Sequence, residues 1–367
     1  MTNWYRIANA DQIPSPAVLL YPDRIAENLQ RMIRGAGGAE RLRPHVKTHK
    51  LPQVVQMKLQ AGITKFKTAT IAEAEMTAAA GGRDVLLAYP LVGPNVRRLV
   101  ELVQAYPQTQ FSTLVDHPRT ISELGQAAVA AGVTISTFLD LEVGMQRTGI
   151  VPGPEAELRY HLLSKTPGLL PAGLHAYDGH LVNTDLAKLA AEVQTAFAPV
   201  WTLRDRLRSQ GLAVPKVLVA GTPTFPRFAG LQDVEVGCGT TVLWDVGQAD
   251  ACPDLDFLNA AVLLTRVISI PGPNRVCVDL GHKAVAAEMP QPRVKFLNLE
   301  VTAVIRHSEE HLVLETPRTD LQPGDVLYAL PRHICPTMAL HQDVWVVRDR
   351  RAVETWPVVA RVRRIHI

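Results

Sequence analysis

Cysteine is scarce in this chain of 367 residues, and its arrangement excludes two kinds of site. The four cysteines are Cys238, Cys252, Cys277 and Cys335. No two of them form a CxxC pair, which excludes a cysteine-rich zinc site and a dense disulfide framework. Free thiols are typical of a reducing compartment. The first residues, MTNWYRIANADQIPSP, also lack the basic-then-apolar pattern of a secretory signal. We therefore expect a cytoplasmic protein.

Long apolar runs and a strong charge excess are missing as well. No apolar run approaches the roughly 20 residues of a membrane span. The net charge of +3 at pH 7 is too small to indicate binding to nucleic acid. Hydrophobic residues nevertheless make up 47% of the chain, which is enough to bury a sizeable core. We therefore expect a globular protein whose partner is a small molecule, and neither nucleic acid nor a membrane.

Residues 15–250 alternate short apolar runs with helix-like segments. The runs at 17–22 and 42–46 are the first two predicted strands, and similar runs continue the series to 216–220. About eight β/α repeats of this kind are typical of a (β/α)8 TIM barrel. A doubly wound open sheet has the same rhythm. However, no GxGxxG follows the first strand, which disfavours a dinucleotide-binding domain.

The pattern changes after residue 250. Residues 251–367 contain β-rich runs with period-2 alternation, such as LNLEVTAVIRHS and DVWVVRD. Turns rich in proline and glycine separate these runs, for example Gln322-Pro323-Gly324-Asp325. Such alternation is typical of antiparallel strands with one solvated face. We therefore predict an α/β barrel at 15–250, followed by an antiparallel β domain.

The run RPHVKTHK at 43–50 packs several cations and two imidazoles into eight residues. It follows a predicted strand, and in a barrel the chemistry lies at the carboxyl ends of the strands. A lysine held there among other cations is a candidate for Schiff-base chemistry, because Arg43 or His45 would help to keep the amine of Lys47 unprotonated. The alternative is a solvated basic loop that binds an anion.

The same run resembles the cofactor-lysine motif of the D-threonine aldolase and D-serine dehydratase family. These are fold-type III, alanine racemase-like enzymes that use pyridoxal 5'-phosphate (PLP). The resemblance implies that Lys47 holds the cofactor. It also implies a barrel followed by a β domain, made here of 251–367 with 1–14. Finally, it implies a homodimer whose active site is completed at the interface.

Two further segments are similar to parts of this family. DLEVGMQRTG resembles its GMxRxG segment, which implies that Arg147 contacts the phenolic oxygen of PLP. From the residues alone, the segment DLEVGMQRTG could instead be a surface loop that ends at Gly149. LHAYDGH resembles a segment of D-threonine aldolase-like proteins. We expect His175 to face the cofactor ring, with Tyr177 and His180 as weaker candidates, although buried histidines are more often core residues.

Two glycine–threonine turns are candidates for the phosphate site. Glycines let backbone amides approach an anion, and late βα loops commonly bind phosphate in barrels. The resemblance assigns this role to Gly221, Thr222, Gly239 and Thr240. Alanine racemases place an arginine two positions before the last glycine, where it faces the pyridine nitrogen. Gly237 stands there in this chain, which disfavours a racemase and leaves the ring nitrogen without an assigned partner.

His333 and Cys335 form a candidate metal site. On a strand or extended turn, residues i and i+2 point the same way, so both side chains could bind one ion. Imidazole with thiolate favours zinc, whereas oxygen ligands would favour manganese or magnesium. The pair resembles the metal site near the C-terminus of the family. Without that resemblance, a buried thiol beside a surface histidine is the simpler interpretation.

Together these motifs predict a PLP- and metal-dependent lyase acting on a D-3-hydroxy amino acid. Lys47, Arg147 and His175 are the expected catalytic residues. We prefer a D-threonine aldolase, which would form glycine and acetaldehyde. A D-serine or D-3-hydroxyaspartate dehydratase is the alternative, which Cys335 favours. A racemase using Tyr328 as its second base, or a PLP-binding protein without catalysis, are further alternatives.

Overall fold

The computed structural model describes residues 3–367, which form sixteen β-strands and nine α-helices. The strands are β1 (Ala17–Leu20), β2 (Lys65–Thr68), β3 (Asp84–Pro90), β4 (Gln110–Val115), β5 (Ile135–Leu141), β6 (Leu169–Ala176), β7 (Lys216–Val219), β8 (Val234–Val236), β9 (Ala261–Gly272), β10 (Arg275–Val278), β11 (Val294–Phe296), β12 (Ala303–His307), β13 (Leu312–Glu315), β14 (Val326–Pro331), β15 (Asp343–Arg348) and β16 (Arg351–Pro357). The helices are α1 (Pro22–Ala36), α2 (Pro52–Gln60), α3 (Ile71–Ala79), α4 (Pro94–Ala105), α5 (Pro118–Ala130), α6 (Pro154–Lys165), α7 (Leu186–Ser209), α8 (Val246–Ala251) and α9 (Ile334–Leu340).

The described chain divides into two compact units. The barrel unit comprises residues 32–47, 52–239 and 362–367, and the β unit comprises residues 3–31, 48–51 and 240–361. The ranges expected from the sequence were 15–250 for the barrel and 251–367 with 1–14 for the β domain. The two divisions differ at residues 15–31, 48–51, 240–250 and 362–367.

The barrel unit contains a parallel sheet in which β2 to β8 follow one another in chain order. Residues 42–46 join the two edges of this sheet. Leu42 bridges Val236 of β8, and His45 bridges Lys67 of β2, both in parallel orientation. The segment fills the position of an eighth barrel strand, which confirms the predicted (β/α)8 fold. We call this segment and the seven strands β2 to β8 the staves of the barrel. Because all staves run in one direction, their carboxyl ends form one rim, as in other barrels.

Local sequence explains where the barrel helices begin. Helices α4, α5 and α6 each have proline in the first turn, where a missing N–H costs no hydrogen bond. Thr70 caps α3 by accepting a hydrogen bond from the backbone N–H of Glu73. The strands between them are largely buried, and β5 is buried along its whole length. The helix starts therefore determine where the βα loops end, and the rim residues project from these loops.

The β unit is built on a mostly antiparallel nine-stranded sheet. Its member β1 pairs antiparallel with β9 and parallel with β15. The expectation that residues 17–22 form the first barrel strand was therefore wrong. All four residues of β1 are buried, so the run lacks the alternation that marks a strand with one solvated face. Buried strands of either sheet produce the same local pattern.

The described residues contain neither a membrane-spanning helix nor a disulfide bond. Within residues 3–367, no helix is both long and apolar enough to cross a membrane. All four cysteines are free thiols.

Candidate active site

Lys47 directly follows the stave formed by residues 42–46. Its backbone N–H donates a hydrogen bond to Nδ1 of His45 at 3.2 Å. Arg43 does not support Lys47 as expected. Its guanidinium binds Asp84 at 2.5 Å and Glu235 at 2.7 Å, and Asp84 is the first residue of β3. Arg43 therefore belongs to the opposite end of the staves, where two carboxylates neutralise its charge.

Three cations instead surround the ring of Tyr177. The guanidinium carbon of Arg147 lies 4.9 Å from the ring centroid, Nζ of Lys67 lies at 5.3 Å, and Nζ of Lys47 lies at 6.0 Å. Within residues 3–367, none of these three side chains forms a hydrogen bond or an ion pair. The rim thus carries positive charge that lacks direct carboxylate partners. An anionic group such as a phosphate or a phenolate fits this arrangement.

Lys67 is a site residue that sequence reasoning missed. Its side chain is 3% exposed. Burial, with a further contribution from the charge of Lys47, lowers the pKa of Lys67 to about 7. The signal in the sequence is the KFK run, because alternate strand residues project to the same face. Lys65, at the start of β2, pairs with Glu235, whereas Lys67, near its end, reaches the rim.

His175 and Asp140 form a buried pair on neighbouring strands. Nδ1 of His175 lies 2.6 Å from Oδ1 of Asp140, and Thr148 donates to Oδ2 of Asp140 at 2.8 Å. Burial and the nearby charge of Lys67 lower the pKa of His175 to about 4. The imidazole is therefore neutral, and its Nδ1–H donates to the carboxylate. Nε2 of His175 is buried and has no hydrogen-bond partner in the described chain, so it is available to a ligand.

Tyr177 and His180 are held against glycine backbone. A side-chain carbon at Gly179 would overlap the Tyr177 ring, and one at Gly221 would lie 3.3 Å from it. His180 lies against Gly144, whose own φ is +120°. Glycine at these positions therefore lets both aromatic rings pack directly on the chain. The expected segment LHAYDGH is thus brought to the loop that carries Arg147.

The glycine turns after β7 and β8 are linked by polar side chains. Asp178 accepts hydrogen bonds from the Gly221 N–H at 2.7 Å and from the Thr224 hydroxyl at 2.6 Å. The Gly239 N–H donates to the Thr222 hydroxyl at 3.3 Å. These contacts bring together three of the four residues expected at the phosphate. The fourth, Thr240, belongs to the β unit, where its hydroxyl lies 3.6 Å from the sulfur of Cys335.

His333 and Cys335 are neighbours, but not for the reason expected. His333 is the extended residue before α9, and Cys335 lies in the first turn of that helix, so the assumed extended geometry was wrong. The imidazole nevertheless lies within hydrogen-bond reach of the Cys335 thiol. Its Nδ1 lies 2.5 Å from Oε1 of Glu288. Burial opposes protonation, but Cys335, Glu288 and Asp245 together raise the pKa of His333 to about 9.

This donor set fits a divalent metal ion with open positions. Residues 3–367 contain no cluster of three or more metal-binding side chains. The pair offers one imidazole and one thiol, and a carboxylate orients the imidazole, as is common at metal sites. Thr48 adds a hydroxyl 3.2 Å from the Cys335 sulfur. The remaining coordination positions would fall to water or substrate.

Solved structures with the same architecture identify the class of fold. A D-threonine aldolase from Filomicrobium marinum matches with a TM-score of 0.85 and 28% identity, covering 97% of this chain and 98% of that one. A D-threo-3-hydroxyaspartate dehydratase from Delftia sp. HT23 matches at 0.81 and 23% identity, covering 95% and 98%, and shows the fold alone. An alanine racemase from Clostridium difficile shares the fold at 0.74 and 13% identity, covering 94% and 99%. The chain therefore has the alanine racemase-like fold.

Sequence comparisons give the family. The model for the alanine racemase N-terminal domain matches residues 21–243, and the model described as "Putative serine dehydratase domain" matches residues 260–347. The chain belongs to the alanine racemase N-terminal domain family. A D-threonine aldolase of Arthrobacter sp. is 28% identical over 95% of this chain and 93% of its own length. A D-threo-3-hydroxyaspartate dehydratase of Delftia sp. is 26% identical over 94% and 97%. These homologues are lyases, which confirms the resemblance found in the motifs.

Proposed function

We propose that this chain is a PLP- and metal-dependent lyase that cleaves D-configured 3-hydroxy amino acids, with D-threonine aldolase activity as its reaction. The observation that carries the proposal is the cluster of Lys47, Lys67 and Arg147 around Tyr177 on one barrel rim, three side chains that form no hydrogen bond or ion pair with residues 3–367. The unpartnered Nε2 of His175 beside this cluster is a second feature that a bound ligand would explain. Both features support a cofactor that carries anionic groups and an aromatic ring.

The residues proposed to hold PLP are those predicted from the motifs. Lys47 would bind the aldehyde carbon covalently, and Arg147 would contact the phenolic oxygen. His175 and Tyr177 would contact the ring. The phosphate would be bound by Gly221, Thr222, Gly239 and Thr240. When bound, PLP supplies an electron-withdrawing ring that takes up the electron pair of a breaking bond at the substrate α-carbon.

The protein side chains have roles of their own in this proposal. Asp140 holds His175 in the tautomer that leaves Nε2 as a hydrogen-bond acceptor. Thr148 orients Asp140 from the Arg147 loop, so the loop and the imidazole are positioned together. Asp178 fixes the first glycine turn by accepting from Gly221 and Thr224. Preorganised groups of this kind do not have to reorient during the reaction.

His333 and Cys335 are the proposed metal ligands. Glu288 fixes the imidazole, which leaves its other nitrogen beside the thiol. The nitrogen–sulfur donor set favours zinc over manganese or magnesium. A metal ion here would supply Lewis acidity toward the 3-hydroxyl oxygen of the substrate.

One observation favours the dehydratase as a second candidate. Thiolate ligation through Cys335 resembles the D-serine dehydratases, and the serine dehydratase model covers residues 260–347, which include this pair.

The racemase alternative is weaker. Tyr328, the base it would need, is 4% exposed and packs in the core of the β unit beside Tyr5. The backbone N–H of Ile7 donates to its hydroxyl at 3.4 Å.

Assembly and location complete the proposal. We expect a homodimer that completes the active site, as the resemblance implies, and sedimentation of the purified protein would test the dimer. A cytoplasmic location is supported by the four free cysteines.

A product assay before and after treatment with a chelator tests the reaction. An aldolase forms glycine and acetaldehyde from D-threonine, and chelation abolishes this activity while the PLP absorbance band remains. Pyruvate and ammonia from D-serine would instead establish the dehydratase. Unchanged D-threonine and D-serine, with metal and PLP both bound, would contradict both proposals.

A further inference from the structure

Lys67 is the one member of the cation cluster without a role in the proposed site. It lies on β2, whose backbone pairs with the stave that precedes Lys47. The N–H of Lys67 donates to the carbonyl of Pro44, and the N–H of Val46 donates to the carbonyl of Lys67. Lys67 is therefore fixed beside the lysine segment by two hydrogen bonds of the main chain. Its amine forms no hydrogen bond or ion pair with the described residues, although the side chain is 3% exposed.

The amine of Lys67 occupies space that Gly237 leaves open. A side-chain carbon built on Gly237 would lie 3.3 Å from both Nζ and Cδ of Lys67. Most side chains at position 237 would therefore press on the lysine. Gly237 has no side chain, and the side chain of Lys67 extends into the space that one would occupy.

The surrounding charges explain why this amine is poised to bind a ligand. Lys47 and Arg147 disfavour its protonation, whereas Asp140 and Asp178 favour it, and burial is the largest influence. These are the charged groups that influence it most. The two carboxylates are already engaged, Asp140 by His175 and Thr148, and Asp178 by Gly221 and Thr224. The amine of Lys67 thus forms no hydrogen bond with either carboxylate, and its N–H groups are available to a ligand.

PLP has four polar features, and the proposed site assigns three of them. Lys47 takes the aldehyde carbon, Arg147 takes the phenolic oxygen, and the glycine turns take the phosphate. The ring nitrogen, which lies across the ring from the aldehyde, has no partner among those residues. It offers a lone pair, which is the acceptor that an N–H donor requires.

We propose that Lys67 is a positioning residue of the cofactor site, and that its Nζ–H donates a hydrogen bond to the pyridine nitrogen of PLP in the space left by Gly237. This inference rests on the proposed function, because it requires PLP at Lys47. An N–H donor keeps the ring nitrogen unprotonated. The ring is then a weaker electron acceptor than a protonated pyridinium, and this favours cleavage paths that build up less charge on the ring.

A purely structural role is the competing explanation, and the chain offers a matched control for it. Lys58 is also fully buried, and burial lowers its pKa to about 7, but it lies on α2 and the charge that acts on it is that of Cys238. Lys58→Met removes a buried amine outside the cation cluster. Lys67→Met removes the amine inside it, and Lys67→Arg keeps a donor.

The test measures the ring nitrogen directly. Each variant is loaded with PLP carrying ¹⁵N in the ring, and the ¹⁵N chemical shift and the dissociation constant for PLP are recorded. We expect an unprotonated, hydrogen-bonded nitrogen in the wild type. Lys67→Met should shift that resonance and weaken PLP binding about tenfold, the usual effect of one lost hydrogen bond. Lys67→Arg should retain most of the affinity, and Lys58→Met should match the wild type.

Several results would overturn the inference. A protonated ring nitrogen in the wild type would do so without any variant, even if Lys67→Met failed to fold. An unchanged resonance and affinity in Lys67→Met would show that Lys67 only fills space. If the wild type binds no PLP, the proposed function itself fails, and that outcome is distinct because it appears before any variant is compared.

Discussion

Glu235 joins several charges at the end of the staves opposite the cation cluster. Its carboxylate binds Arg43 at 2.7 Å, Lys65 at 2.7 Å and Lys216 at 2.6 Å. Arg43 also binds Asp84. Burial opposes ionisation, but the cations outweigh it and lower the pKa of Glu235 to about 2. The side chains of Arg43 and Glu235 are only 3% and 4% exposed, so loss of either charge removes the fully buried partner of the other and leaves it only more exposed partners.

Glu235→Gln should therefore destabilise the protein by about 3–5 kcal/mol, the usual cost of breaking a buried ion pair from one side. Urea unfolding measures this change. Lys216→Met is the matched control, because that side chain is 42% exposed and its pair with the same carboxylate should contribute less than about 1 kcal/mol. Equal losses in the two variants would contradict the account of Glu235.

His175 should make stability depend on pH. The unfolded chain binds a proton at this residue near pH 6.5, whereas the folded chain does so only near pH 4. Between these values the unfolded state binds more protons, so the free energy of unfolding rises with pH. The stability difference between wild type and His175→Asn should shrink as the pH falls from about 6.5 to 4.5, by up to ~1.4 kcal/mol per unit. Urea titrations across this range measure it, and a constant difference would show that His175 is not buried as a neutral group.

Residue types and their order were enough to locate much of the candidate site. Lys47, Arg147, His175 and Tyr177 were expected near a ligand, and the structure brings them to one rim. Lys67 and Asp140 were missed because the residues that they pair with, His45 and His175, lie on other strands of the barrel. The supporting role of Arg43 was wrong because its partners, Asp84 and Glu235, are distant in sequence.

The loop from 142 to 149 shows how an element positions a single side chain. It leaves β5 and returns to it, since the Ile150 N–H donates to the carbonyl of Asp140 and the Glu142 N–H donates to that of Ile150. Gly149 closes the loop with φ of +97°, and a side-chain carbon there would meet the backbone of Leu141 and Glu142. Arg147 lies within this closed loop, and its guanidinium carbon is 4.9 Å from the centroid of the Tyr177 ring.

Gly149→Ala should therefore cost about 1–3 kcal/mol, because the new methyl group meets backbone and the conformation disfavours side chains. Thermal or urea unfolding measures the loss. Gly153→Ala provides the comparison, because nothing lies within 4 Å of the added carbon and its φ of 165° is extended backbone. Similar stability of the two variants would mean that the loop adapts to a side chain at 149.

Local sequence explains the starts of several helices. The start of α3 follows from a capping threonine, and those of α4, α5 and α6 from their prolines. Two elements differ from the expectation. β1 was expected in the barrel but pairs with β9 and β15, and α9 begins at Ile334 in a run that was expected to be extended. The partners of β1 are distant in sequence, and His333 makes no side-chain capping hydrogen bond that would mark the start of α9.

At the scale of the whole molecule, a barrel unit and a β unit follow from the change in pattern after residue 250. That residues 15–31 and 48–51 belong to the β unit could not be predicted, because local patterns do not show which unit buries a segment. The reaction is also underdetermined at this scale. The same fold occurs in an aldolase, a dehydratase and a racemase, so the side chains at the rim carry the functional argument.

The central claim is that Lys47 carries PLP, and borohydride reduction with peptide mapping tests it most directly. Reduction turns the bond between the cofactor and its lysine into a stable one, and mass spectrometry then locates the modified residue. We predict a single phosphopyridoxyl group on the peptide containing Lys47, and none in Lys47→Ala. A group on Lys67 instead, or no modified lysine in wild type incubated with PLP, would contradict the account.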